Sequence, residues 1–255
     1  MKEKGYPEYL TPGFEPFDPL SLASWTEELV CKDSKRRYTD FYCTGVYGGI
    51  STGYTVGCCL RCVFCWVDFS RDFPEKFGTF YSPEDAFQKL LENAKKKRVK
   101  KMRISGGEPT LCRDHLLGLL DLIEGKDYQF ILETNGILFG ADEGYVDKLT
   151  KYRNIHVRVS LKAGTPEGFE KRTGAKGDFY ELPYQAIRNL MSKKISFHVA
   201  AMSDPRLMPS EERATMVKKL REIGYKDFFE EETCDPYPHT VFRLEKAGFS
   251  IFAKD

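Results

Sequence analysis

The 255-residue chain is 41% hydrophobic and carries a formal net charge of +1. This supports a packed core in one large domain or two small ones, and supplies no whole-molecule field to draw nucleic acid. There is no run of about eighteen uncharged apolar residues to span a membrane, and the first residues lack the apolar stretch of a signal peptide; a cytoplasmic protein with reduced thiols is expected.

Along the chain, residues 1–48 read as a proline-punctuated arm packing on the surface of the core domain. A strand at about 50–56 runs into a cysteine cluster. A helix is expected over Pro83–Lys97, where Ser82 caps, Pro83 occupies the first turn and Glu84 and Asp85 come next. The strand KKMRIS then ends at Gly106-Gly107, with a helix over 113–124. The strand YQFILE ends at Thr134-Asn135-Gly136, with a helix over 142–151. IHVRVSLK precedes a helix over 179–194, ISFHVAAMS one over 210–223, and KDFFEEE closes the series. Six strands, each but the last succeeded by a helix, imply parallel pairing and right-handed crossovers. An open partial barrel and a flat doubly wound sheet both satisfy that pattern. In either, the working face lies at the carboxyl ends of the strands. A core over 49–232 and a cap or tail over 233–255 complete the expected organisation.

The unusual polar motifs all fall at predicted strand ends, which reads as one site. YTVGCCLRCVFCWVDF holds four of the eight cysteines. It could be a disulfide knot, a zinc clamp or a cradle for a redox group. A reducing compartment argues against the first. Cys58, Cys62 and Cys65 are spaced C-x3-C-x2-C, so three thiolates can converge. Structural zinc takes four closed ligands, and no second C-x2-C pair exists. A cubane cluster held at three corners leaves one iron for a non-protein ligand. Cys59 reads as a packing thiol, and Cys31, Cys43, Cys112 and Cys234 as single thiols, by default small buried hydrophobes.

CCLRCVFC together with SGGEP resembles the signature of the radical S-adenosylmethionine (radical SAM) superfamily, over residues 50–232. The resemblance is to its short, partial-barrel members, such as glycyl-radical activating enzymes and 7-carboxy-7-deazaguanine synthase. It implies an α/β fold, a partial (β/α)6 TIM-like barrel of parallel strands with outer helices. It implies a 4Fe-4S cluster on Cys58, Cys62 and Cys65, and S-adenosyl-L-methionine (SAM) chelated at the open iron. It also implies oxidoreductase chemistry: reductive cleavage of SAM to methionine and a 5′-deoxyadenosyl radical that abstracts hydrogen from a substrate. An electron donor such as ferredoxin or flavodoxin is then a partner.

Other strand-end residues take their expected roles from the same resemblance and from local patterning. Gly106 and Gly107 permit close backbone approach to a ligand, and Glu108 is expected to accept from the SAM amine. Thr134 and Asn135, otherwise a plain Asn-Gly turn, would face SAM or substrate. Ser160 and Lys162 share one face of their strand, where Lys162, otherwise a surface lysine, would meet the SAM carboxylate or an anionic substrate. His198, otherwise a core histidine, would contact the SAM ribose or carboxylate. Met202 would line the adenosyl pocket, and Phe64 would stack there. The run 95–101 is basic and reads as a solvated helix end. Protein, RNA and small-molecule substrates all stay open, with glycyl-radical activation the leading specific case. Against it, Trp66 stands where activases carry a histidine, and CVFCW is similar to the tRNA wyosine-forming branch. A non-catalytic iron–sulfur or zinc protein is the alternative of another class; it requires four protein ligands.

Overall fold

The computed structural model describes residues 5–252, so the first four residues of the expected arm and the last three of the expected tail lie outside the described residues. Helix α1 (Pro19–Val30) comes first. Asp18 caps it by accepting from the Leu20 and Ser21 amides, and Pro19 fills the first turn. Then come β1 (Cys31–Lys32), β2 (Lys35–Thr44), β3 (Ile50–Thr55), β4 (Thr79–Tyr81) and α2 (Pro83–Lys97). Next are β5 (Lys101–Gly106), α3 (Arg113–Ile123), β6 (Gln129–Thr134), α4 (Ile137–Ala141) and α5 (Glu143–Asp147). The chain continues through β7 (Ile155–Leu161), α6 (Pro166–Thr173), α7 (Glu181–Ser192), β8 (Phe197–Met202), α8 (Ser210–Glu222), β9 (Phe229–Glu232) and α9 (Pro238–Lys246). No helix among the described residues is long and apolar enough to cross a membrane.

One sheet joins the strands in the order β1-β2-β3-β5-β6-β7-β8-β9, with β4 paired to β2. β3 and β5 to β9 pair in parallel, and β1, β2 and β4 add antiparallel. The order does not close on itself, so the sheet is open. It is also curved. Tyr54 of β3 and Glu230 of β9 line one cavity with residues from the four strands between them. With strands about 4.8 Å apart, the first and sixth of a flat sheet would stand about 24 Å apart. The fold is therefore a mixed α/β fold with a partial (β/α)6 barrel, and the flat alternative is excluded.

Strand alternation sorts the two faces. Met102, Ile104, Phe130, Leu132, Val157, Val159, Leu161 and Val199 belong to the buried apolar core. The intervening positions, including Arg103, Glu133, Arg158, Glu230 and Glu232, line the cavity. Complete barrels pack this interior with branched apolar side chains; here it is polar, and leaves a chamber.

Two elements differ from expectation. The helix expected over 142–151 is shortened to α5 plus a 3-10 turn (Lys148–Lys151), while 137–141 forms the separate α4. Asp142 causes the break: its backbone leaves the helical region, and its side chain caps α5 by accepting from the Tyr145 amide. The arm expected over 1–48 contributes α1, and also β2, which pairs with β3 along the sheet edge.

His115 ties α3 to β2. A carbonyl can only accept, so Nδ1–H must donate to Ser34 O (2.9 Å), leaving Nε2 to accept from the Tyr38 hydroxyl (2.7 Å). Burial, with Arg36 nearby, pushes its pKa down to about 4. The ring is neutral in the fold, whereas the unfolded chain protonates it near pH 6.5. Stability present above pH 6.5 is therefore lost as pH falls toward 4, by about 3 kcal/mol for this group. Urea unfolding of the wild type and of His115→Gln at pH 7 and pH 4.5 should show a smaller pH dependence in the variant.

Candidate active site

The loop that leaves β3 is locked to the loop that leaves β5. Gly107 N donates to Thr55 O, and Glu108 N donates to Gly57 O, each at 2.8 Å. A Cβ on Gly107 would lie 2.0 Å from Gly57 O, and Gly106 has a φ of +88°. Only glycine satisfies both positions. The glycines thus let two backbones meet, and bring SGGEP beneath the cysteine loop.

Cys58, Cys62 and Cys65 open onto one inner cavity of about 140 Å³. Phe64, Gly106, Gly107, Glu108, Thr134, Asn135, Ser160, Lys162 and Met202 line it with them. Cys59 is fully buried and does not line it; Asn135 Nδ2 donates to its sulfur at 3.3 Å. The neighbouring Cys59 lowers the pKa of the Cys58 thiol, while burial pushes that of Cys62 up. Among the described residues, no three His, Cys, Asp or Glu side chains lie close enough to share one metal ion.

The loop's carbonyls are held by residues that no sequence motif singles out. Arg71 Nη1 donates to Cys62 O at 2.7 Å. Thr240 Oγ1 and Arg243 Nη1, both from α9, donate to Cys65 O at 2.9 Å each. Arg243 also donates to Val67 O (2.6 Å) and Asp68 O (2.7 Å). Asp72, fully buried, forms ion pairs with both Arg71 and Arg243. On the other side, the Arg61 and Val63 amides donate to Thr173 O and Arg172 O, at 2.9 Å each.

Glu108 organises the neighbouring motif from within the protein. Its Oε1 accepts from Thr110 Oγ1 (2.7 Å), Thr110 N (3.1 Å) and Thr134 Oγ1 (2.7 Å), and its Oε2 accepts from Asn135 N (2.9 Å). Only Oε2 keeps substantial accepting capacity for a ligand. Across the cavity, Lys162 Nζ donates to Ser160 Oγ (2.6 Å), which donates to Glu232 Oε2 (3.1 Å).

Two expectations are corrected. His198 does not line the inner cavity. It shares a face of β8 with Met202 but precedes it by four residues, about 13 Å down the strand. There it meets His156 Nε2 at 2.7 Å and lies 3.4 Å from Glu230 Oε2. Alternation gives the face of a strand residue, and says nothing of its depth. Cys31 and Cys112, expected as single thiols, are joined in a disulfide, because the end of α1 abuts the start of α3. Cys43, Cys59 and Cys234 are free.

Beyond Phe64, Trp66, Glu133 and Met202, which border both spaces, a second cavity of about 960 Å³ opens toward solvent. Tyr42, Tyr47, Tyr54 and Tyr237 line its walls, and Arg103 and Arg158 reach its floor.

Comparison with known proteins bears on this geometry. Residues 53–235 match the family model described as Radical SAM superfamily. A Methanococcus maripaludis protein provisionally named a GTP 3′,8-cyclase is 34% identical over 120 residues, 47% of this chain and 38% of that protein. A Methanocaldococcus jannaschii protein provisionally named a glycyl-radical enzyme activating enzyme is 30% identical over 109 residues, 43% of this chain and 38% of that one. The chain thus matches less than two-fifths of the length of either relative. Among solved structures, Streptococcus suis SuiB bound to S-adenosylmethionine superposes with a TM-score of 0.59 at 20% identity, covering 78% of this chain and 41% of SuiB. TYW1 with a lysine-pyruvate adduct bound gives 0.57 at 18% identity, covering 74% of this chain and 66% of that one. At such identities these two likenesses describe the fold.

Proposed function

The chain belongs to the radical SAM superfamily, and from that premise we propose that Cys58, Cys62 and Cys65 hold a 4Fe-4S cluster beside a SAM site formed by the rest of the inner cavity. The observation that carries this reading is the shared lining: three thiols and the backbone of Gly106-Gly107 face one small space. The donor set fits a cluster. Three cysteine thiols on one small cavity, with Cys59 not among its lining residues, are the donor set a cluster held at three corners would use, whereas structural zinc takes four closed ligands. Cys59, turned out of the cavity, is no fourth ligand, which argues against the non-catalytic iron–sulfur or zinc alternative. When bound, the cluster and SAM supply reductive cleavage of the sulfonium to methionine and a 5′-deoxyadenosyl radical.

The chain's own residues then have defined tasks. Glu108 fixes the Thr134-Asn135 turn against the cysteine loop and offers Oε2 to an ammonium group. Lys162, steered by Ser160, presents a cation to a carboxylate. Phe64 and Met202 supply apolar surface for an adenosyl group. The buried walls keep water from a reactive species. A substrate seated in the outer cavity would lie next to the site of hydrogen abstraction, and a donor such as ferredoxin or flavodoxin would supply the electron. Glycyl-radical activation would bring a protein loop there; its support is the M. jannaschii relative, over 43% of this chain.

Anaerobic protein reconstituted with iron and sulfide, then given dithionite and SAM, is expected to form 5′-deoxyadenosine and methionine in equal amounts. SAM left intact under those conditions contradicts the reading.

A further inference from the structure

The outer cavity adjoins the inner one through Phe64, Trp66 and Met202, is several times larger, and opens to solvent. On the functional reading above, on which this inference rests, it is where a substrate sits. Its walls therefore carry information about what that substrate is.

Six carboxylates line it: Asp40, Asp68, Glu133, Glu230, Glu232 and Asp235. Arg103 and Arg158 are the only lysine or arginine residues among its lining residues. Both are committed to protein partners. Arg103 donates to Glu133 Oε1 (2.7 Å) and Thr52 Oγ1 (3.0 Å). Arg158 pairs with Glu230 Oε2 (2.9 Å) and Glu232 Oε1 (2.8 Å). Setting two guanidiniums against six carboxylates leaves four formal negative charges among the lining residues, or three once Lys162 of the adjoining cavity, which acts on Glu232, is counted. No guanidinium is left over for a phosphate, and the surplus charge repels one.

The mouth is aromatic. Of the five most exposed large hydrophobic residues among those described, Tyr42, Val46, Trp66 and Tyr237 all line this cavity. Tyr42 stacks on Tyr54 at 4.4 Å between centroids, and Trp66 meets Tyr54 edge-on at 6.2 Å. Exposed aromatics concentrated at one opening mark a binding site. Aromatic faces beside carboxylates favour one chemistry in particular, an organic cation with an apolar stem.

We infer that the substrate of this cavity carries an alkylammonium or guanidinium group and no phosphate. A nucleoside triphosphate is therefore not its substrate, whatever the names of partial relatives. The cationic group enters between the aromatics of the mouth. It reaches carboxylates not satisfied by Arg103 and Arg158: Asp40, Asp68 and Asp235 are exposed and none is in an ion pair with those arginines, and Asp40 and Asp235 are the two whose backbone is not tied to Arg243 beneath the cysteine loop.

The test is binding, read by quenching of tryptophan fluorescence and by calorimetry on the anaerobic reconstituted protein. The probes are N-acetyl-lysine-N-methylamide, its neutral isostere N-acetyl-norleucine-N-methylamide, an alanine pentapeptide with one central lysine, and GTP. Both cations are expected to bind at least about tenfold more tightly than the neutral isostere, with affinity falling as salt rises. The double variant Asp40→Asn with Asp235→Asn should weaken cation binding about fivefold or more and leave the isostere unchanged. Tighter binding of the peptide than of the single residue assigns the cation to a polypeptide side chain, and equal binding to a small molecule. GTP binding more tightly than either cation overturns the inference, as does a cation that binds no better than the isostere. SAM cleavage is assayed in the same preparations. A failed cation preference with cleavage intact removes this inference alone, whereas absent cleavage removes the reading of the inner cavity.

Discussion

Alanine at Cys58, Cys62 or Cys65 is expected to lower 5′-deoxyadenosine formation by more than about a hundredfold, to the level of the reagents alone. Each thiol opens onto the inner cavity, and removing one corner's ligand takes away the cluster rather than weakening it. Iron and sulfide per chain should fall with the activity. Cys59→Ala is the informative control. That sulfur is fully buried and hydrogen-bonded from Asn135 Nδ2, so its loss leaves a small void costing about 1 kcal/mol. It also removes the contact that lowers the Cys58 thiol. Most of the activity and the iron should survive. Equal loss in Cys59→Ala would overturn the assignment of ligands.

The second large effect is expected far away in sequence, at Arg243. Its guanidinium, itself buried, binds the carbonyls of Cys65, Val67 and Asp68 and forms an ion pair with the fully buried Asp72. Arg243→Met preserves much of the side-chain volume but leaves three carbonyls without this donor, and Asp72 with one guanidinium fewer. Breaking one partner of a buried charged network costs about 3–5 kcal/mol. The variant should melt at lower temperature and retain less iron after reconstitution and desalting. Arg243→Lys should recover only part of this, because an ammonium cannot span the fork of acceptors. Unchanged iron retention in Arg243→Met would show that α9 does not support the cysteine loop.

Much of this architecture is legible from local pattern. All six parallel strands and the helices α2, α3, α7 and α8 announce themselves by periodicity and caps, and Gly106-Gly107 by the absence of side chains where two loops must touch. Twelve of the thirteen proposed site residues line the inner cavity, because carboxyl-end loops of parallel strands necessarily converge. The features that local pattern does not carry depend on long-range pairing. β2 is polar, and its place in the sheet is set by antiparallel ladders with β3, β1 and β4. α1 does carry a local signal, the cap and first-turn proline of Asp18-Pro19. Thr240 and Arg243 acquire meaning only when α9 packs on a loop about 175 residues earlier, and no local spacing encodes that. Glu108 shows a subtler gap. Its expected duty toward SAM rests on type and position, whereas four hydrogen bonds to Thr110, Thr134 and Asn135 engage most of its carboxylate.

The central claim is a cluster gripped by three protein thiols with one iron left for SAM. The most direct test is the electron paramagnetic resonance spectrum of the reduced, reconstituted protein before and after SAM is added. A spectrum that changes on addition of SAM, in the wild type and in Cys59→Ala alike, is the predicted result. An identical spectrum with and without SAM would mean that no iron is open to it, and would contradict the account.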